Sequence, residues 1–154
     1  MIDAAEKAGA CACYLSGAGP YVLAITSGAS AVIYDGWDGP VPNMIPALHI
    51  PGLRHQLGRI AHAFYGNPCS GMCVVGVTGT NGKTTTVHFI SQLADQLGLK
   101  AARIGTLGVS VGAEKISESD RTTPDVIMLA SIFAELRDKG VNFVAMEVSS
   151  HALD

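Results

Sequence analysis

Apolar positions along this chain follow two spacings, and the change from one to the other outlines its elements. Residues 2–8 suit a short helix, Gly9 to Leu15 a strand, and Tyr21 to Ser27 a helical segment. Ala29 to Tyr34 is a plainly apolar strand, and Ala47 to Ile50 is one more short strand after a turn-rich stretch from Asp35 to Pro46. From Leu53 to Tyr65, the residues Leu57, Ile60, Ala61 and Phe64 fall at helical spacing. Gly66-Asn67-Pro68 stops that helix.

The pattern then changes. Met72 to Val77 is continuously apolar, as expected of a parallel strand covered on both faces. A glycine-rich turn follows, and Val87, Ile90, Leu93, Ala94 and Leu97 mark a helix ending near Gly98. Ala101 to Ile104 predicts a short strand, and Thr106 to Val111 starts a hairpin. Thr123-Pro124 reads as a helix start, a hydroxyl cap followed by proline at the first helical position. That helix runs through Leu129, Phe133 and Leu136 to Gly140, and Val141 to Val148 is a last buried strand. Strands alternating with helices predict an α/β fold with a parallel sheet from about residue 70 onward. The break at residues 66–71 predicts two domains, 1–70 and 71–154.

Composition agrees with a folded chain. Of 154 residues, 48% are hydrophobic and 15% charged, which permits a buried core and argues against disorder. The net charge of −3 argues against a nucleic-acid partner, which usually meets a basic face. No apolar run is long enough to span a bilayer, and Met1 to Lys7 is too polar for a secretory signal. A cytoplasmic monomer is the expectation. Cys11, Cys13, Cys69 and Cys73 lack the paired knuckles of a zinc site and read as reduced, partly buried thiols. His49, His55, His62 and His88 show no metal-binding spacing.

The chemistry concentrates after the first long apolar strand. Gly79, Thr80, Asn81, Gly82, Lys83 and Thr84, with Thr85 and Thr86 after them, form a glycine turn leading into a helix. Such a turn lets several backbone N–H groups converge on one phosphate, and the helix start adds its positive dipole end. Lys83 is placed to reach the β and γ phosphates of ATP, and the Thr84 hydroxyl to ligate Mg2+. The spacing departs from G-x4-G-K-[ST], because Val77 stands where the first glycine belongs and Gly76 comes one residue early. The bland alternative is a glycine turn that only joins strand to helix. Glu147 is the one carboxylate near the C-terminal end of an apolar strand, where ligands of open α/β sheets bind. It suits a Mg2+ ligand; a carboxylate paired with lysine or arginine at the sheet edge is the plainer reading. Arg121, Thr122 and Thr123 precede a helix and could hold an anionic or hydroxyl-bearing substrate, although Thr123 is equally explained as a cap. His151 taken alone reads as a hydrogen-bonded loop residue.

Taken together, Val75 to Thr86, Ile104-Gly105-Thr106-Leu107-Gly108, Thr122-Thr123-Pro124-Asp125 and Met146 to Leu153 resemble the Mur ligase family. The resemblance is closest to the branch that adds the third residue of the peptidoglycan stem peptide. The family's own loop has the glycine spacing seen here. Resemblance is strong from about Val74 to Asp154 and weaker over 1–70. It implies a small N-terminal α/β domain that binds the UDP part of the substrate, followed by the first part of a P-loop ATPase domain with a parallel sheet. It also implies an ATP-dependent ligase that phosphorylates the D-glutamate γ-carboxylate of UDP-N-acetylmuramoyl-L-alanyl-D-glutamate. The acyl phosphate is then attacked by the amine of meso-diaminopimelate or L-lysine. By resemblance, Thr80 to Thr86 with Lys83 hold ATP, and Thr84 and Glu147 serve Mg2+. Lys83 and Glu147 are the catalytic pair, and Thr122, Thr123 and Ser149 contact the muramoyl substrate. Arg121 stands where some members have asparagine. Family enzymes extend further at both ends, so this chain is expected to form no amide bond alone. A folate or cyanophycin ligase, or a non-catalytic nucleotide-binding fragment, are the alternatives.

Overall fold

A computed structural model describes residues 13–14, 21–24, 32–35, 46–118 and 122–150. The expected helix over 2–8, Arg121 and His151 lie outside the described residues. The chain divides into two compact units, Met1–Leu57 and Gly58–Asp154.

The first unit holds a four-stranded sheet in the order β1-β2-β3-β4, from Cys13–Tyr14, Tyr21–Ala24, Val32–Asp35 and Ala47–His49. β1, β2 and β3 pair antiparallel and β4 joins β3 in parallel. The expectation of a helix from Tyr21 is corrected over residues 21–24. Tyr21, Val22 and Leu23 favour a pleated surface, and so short an apolar run carries no usable period. Helix α1 spans Leu53–Phe64. The Asp35 carboxylate at the end of β3 accepts from the Leu53 N–H at 3.1 Å and lies 3.4 Å from the His49 ring. The buried stripe of α1 is Leu53, Leu57 and Ala61, whereas Phe64, expected on that stripe, is 68% exposed and packs edge-on to Tyr65.

The second unit is built on a five-stranded sheet in the order β5-β9-β6-β7-β8. Its strands are β5 (Cys73–Val77), β6 (Ala101–Gly105), β7 (Gly108–Val111), β8 (Glu114–Ser117) and β9 (Phe143–Glu147). β9 lies parallel between β5 and β6, in register Val77↔Glu147 and Ile104↔Met146. β7 and β8 add an antiparallel hairpin to β6. Helices α2 (Lys83–Gln96) and α3 (Val126–Asp138) cover opposite faces. Strand side chains alternate between faces. Thus Ala102, Ile104, Val144 and Met146 meet Phe133 and Leu136 of α3, while Arg103 and Glu147 turn to α2.

Three expectations are corrected here. β5 is not covered on both faces: it stands at one end of the described sheet, and Cys73, Val74 and Gly76 are exposed. The face that α2 buries is narrow and small, Val87, Ser91 and Ala94, leaving Leu93 and Leu97 outside. Finally, α3 is capped by Asp125, not Thr123. The Asp125 Oδ1 accepts from the N–H groups of Ile127 and Met128 at 3.1 and 3.0 Å. Pro124 disfavours helical backbone at Thr123, which releases the Thr123 hydroxyl for another task.

Candidate functional site

The parallel strands β5, β9 and β6 end at one edge, and the three connections leaving that edge build the site. The first is the glycine loop. Gly79 at φ 141° and Gly82 at φ 80° take conformations that a side chain would strain. Gly82 is also the N-cap of α2, and no side chain caps this helix. Its first-turn N–H groups and the dipole therefore face the loop, the arrangement that accepts a phosphate oxygen. The Lys83 amine folds over the loop and donates to the carbonyls of Gly79 at 2.5 Å and Thr80 at 3.4 Å. The cation thus stands over the concave side of the turn. Thr80, Asn81, Thr85 and Thr86 are exposed around it.

The second connection starts at Glu147, the last residue of β9. Its side chain is only 2% exposed. It accepts from the Thr84 hydroxyl at 3.0 Å on Oε1, from the Thr106 N–H at 3.0 Å on Oε1, and from the Thr106 hydroxyl at 3.3 Å on Oε2. Among the described residues no lysine or arginine pairs with it. The described partners of this carboxylate are thus neutral donors. A buried carboxylate is costly without partners, and three donors supply them. An ionised carboxylate offers about four lone-pair sites, so Oε2 retains one. Together with the Thr84 oxygen this gives two hard oxygen donors beside a phosphate-binding loop. That set fits Mg2+, which uses one or two protein oxygens and completes its shell with water and substrate phosphates.

Space for this carboxylate comes from Gly105. A Cβ at position 105 would lie 2.1 Å from Glu147 Oε1 and 2.7 Å from its Cγ and Cδ.

The third group is the segment before α3. The Thr123 hydroxyl donates to the Glu147 carbonyl at 3.1 Å and accepts from the Ser149 N–H at 2.9 Å. It locks the α3 approach to the loop after β9. Thr122 reaches the Thr106 hydroxyl at 3.3 Å. Thr84, Glu147, Thr122, Thr123 and Ser149, from three separate stretches of sequence, thus share one hydrogen-bonded network. Thr106 belongs to it and Gly105 lies against the Glu147 side chain; both carried no role of their own in the sequence, because the signal that marks them is the register of β6 on β9. A cavity of about 560 Å3 opens beside the network, reaching from Thr84, Gly105 and Glu147 to His88, Arg103 and Lys115. Arg103, one of its lining residues, donates to Ser110 Oγ at 3.1 Å and the Gly112 carbonyl at 3.0 Å, with His88 Nδ1 as a third partner.

Away from this edge, Cys69 is half-buried, which pushes its thiol above the usual range, and Cys73 is exposed. Among the described residues no three His, Cys, Asp or Glu side chains gather as metal ligands, and no helix is long and apolar enough to cross a membrane.

Comparison with known proteins bears on the same segments. The model of the Mur ligase middle domain matches residues 77–154. A UDP-N-acetylmuramoyl-L-alanyl-D-glutamate–2,6-diaminopimelate ligase of Xanthomonas oryzae pv. oryzae is 46% identical over 132 residues, covering 83% of this chain and 26% of the relative. The ligase of the same name from Geobacillus thermodenitrificans is 42% identical, covering 84% of this chain and 26% of the relative. The chain therefore spans about a quarter of the length of these relatives. Among solved structures, one of a ligase of that name superposes with a TM-score of 0.58 at 25% identity, over 74% of this chain and 23% of the other. Mycobacterium tuberculosis folylpolyglutamate synthase, solved with ADP and AMPPCP, shares the fold at a TM-score of 0.50 and 17% identity, over 59% of this chain and 27% of that one.

Proposed function

The chain belongs to the Mur ligase family, and from that premise we propose that it supplies the ATP-binding wall of a ligase acting on UDP-N-acetylmuramoyl-L-alanyl-D-glutamate. The incoming amino acid is 2,6-diaminopimelate, as the names of the relatives favour. Residues 71–154 form the first part of the ATP-binding domain, and residues 1–70 part of the domain that holds the UDP end of the substrate. The setting is the cytoplasm and the chain is a monomer. The observation that carries the proposal is the buried Glu147 carboxylate 3.0 Å from the first-turn hydroxyl of the glycine-loop helix.

In this reading the backbone from Gly79 to Gly82 and the α2 N-terminus cradle the ATP phosphates. Lys83 exchanges its two carbonyl partners for phosphate oxygens and neutralises charge as the γ-phosphoryl group moves. Thr84 and Glu147 would hold Mg2+, which would supply further neutralisation of phosphate charge. Thr122, Thr123 and Ser149, with Arg121 before them, hold the muramoyl dipeptide so that its γ-carboxylate faces the γ-phosphorus. The carboxylate oxygen bonds to phosphorus as the bond to ADP breaks. The amine of the diamino acid then attacks the acyl carbon, loses a proton, and the C–O bond to phosphate breaks. These residues contribute part of the positioning and charge neutralisation on which phosphoryl transfer mostly depends.

Calorimetric titration with β,γ-methylene-ATP and Mg2+ tests the loop. Lys83→Ala removes the cation and is expected to weaken binding about a hundredfold, the worth of two charge-assisted hydrogen bonds. Unchanged affinity would refute the assignment. The isolated chain, given ATP, the muramoyl dipeptide and diaminopimelate, is expected to form no amide bond; substrate-dependent phosphate release from it would overturn that part.

A further inference from the structure

Thr106 sits at the corner between β6 and β7, in the Ile104–Gly108 segment to which no role attaches above beyond holding Glu147. It is exposed, yet it meets both oxygens of a carboxylate that is almost fully buried. Its N–H fixes Oε1 and its hydroxyl reaches Oε2. The same hydroxyl lies 3.3 Å from the Thr122 hydroxyl. A hydroxyl carries one proton and two lone pairs. Having given its proton to Glu147, Thr106 can only accept from Thr122. The hydrogen bonds then run in one direction, Thr122 to Thr106 to Glu147.

We propose that Thr106 is the positioning residue that sets the Glu147 carboxylate for Mg2+ and couples it to the substrate threonine, Thr122. This rests on the reading of Thr84 and Glu147 as the Mg2+ site. The geometry explains why this corner needs Thr106 or a serine. A residue without a hydroxyl keeps the N–H contact to Oε1 but leaves Oε2 free to rotate away. Because Thr106 packs nothing in the core, a valine there removes the hydroxyl at nearly constant volume and leaves the fold in place.

The test is the affinity of the 154-residue chain for β,γ-methylene-ATP, measured by calorimetry with excess Mg2+ and again with excess EDTA. Thr106→Val is expected to weaken binding about tenfold in Mg2+, the loss of one hydrogen bond to a charged group, and to leave the EDTA affinity unchanged. Thr106→Ser is expected to restore the wild-type value. Thr122→Val is expected to weaken Mg2+-dependent binding by about two- to threefold, and to add nothing in a Thr106→Val background, as coupled residues do. Glu147→Gln separates the two claims. If it abolishes the Mg2+ enhancement and Thr106→Val does not, the role of Thr106 is refuted. If Glu147→Gln itself keeps the enhancement, the metal reading fails first. An equal loss in Mg2+ and in EDTA would show Thr106 to be merely structural and also overturn the proposal. Should Thr106→Val fail to fold, Thr122→Val decides, since full Mg2+-dependent affinity in that variant contradicts the chain of hydrogen bonds.

Discussion

Replacing Gly105 with alanine adds one methyl group at the most constrained point of the site. Gly105 has no positive φ, so the requirement for glycine here is space and not backbone conformation. The new Cβ would lie 2.1 Å from Glu147 Oε1 and 2.7 Å from Cγ and Cδ, well inside van der Waals contact. Because Cγ is struck as well as the terminal oxygen, a small rotation of the carboxylate does not relieve the overlap. Glu147 must change rotamer, and the bonds from Thr84 and the Thr106 N–H to Oε1 go with it. Two hydrogen bonds to a charged group, each worth about 1.5–3 kcal/mol, set an expected loss of about 3 kcal/mol. For a unit of this size that lowers the melting temperature by roughly 12–24 °C. Far-UV circular dichroism on heating reads this directly. Gly58→Ala is the control. Gly58 lies within α1 with nothing within 4 Å of the added Cβ, so alanine there is expected to stabilise by about 0.5–1 kcal/mol. A Gly105→Ala protein that melts at the wild-type temperature and keeps its Mg2+-dependent nucleotide affinity would refute the argument that Gly105 exists to house Glu147.

Asp125→Ala removes both side-chain bonds that cap α3 and is expected to cost about 1 kcal/mol in urea unfolding; Thr123→Ala is expected to disturb the Glu147–Ser149 loop instead, so the opposite assignment of effects would restore Thr123 as the cap. Burial raises the pKa of Cys69 and so lowers its thiolate fraction at any pH below that value, whereas Cys73 is exposed. Since the thiolate is the reactive form, iodoacetamide followed by peptide mass mapping is expected to label Cys73 before Cys69, with the gap narrowing as pH rises.

What the sequence made legible follows from how local each signal is. The glycine loop, Lys83 and Thr84 are contiguous, and the strand before and helix after them are set by short-range pattern. Glu147 stood out because one carboxylate ends an otherwise apolar strand. Gly105 and Thr106 were legible only as part of the Ile104–Gly108 segment, without a role, because their meaning depends on β6 lying beside β9, a pairing across about forty residues that no local pattern encodes. The same limit hid the exposure of β5 and of the Leu93 and Leu97 side of α2, since apolar spacing marks a helix without saying how many faces are covered. At α3 two capping chemistries stood two residues apart, and only the backbone before Pro124 separates them.

The central claim is that the loop from Gly79 to Thr86, with Glu147 beside it, receives the phosphates of a nucleotide. Amide NMR of the isotope-labelled chain during titration with ADP and Mg2+ tests it most directly. The account predicts saturable shifts concentrated in residues 79–86, with Thr106 and Val148 following only when Mg2+ is present. Shifts spread elsewhere in the chain, with the 79–86 amides unmoved at saturation, would contradict it.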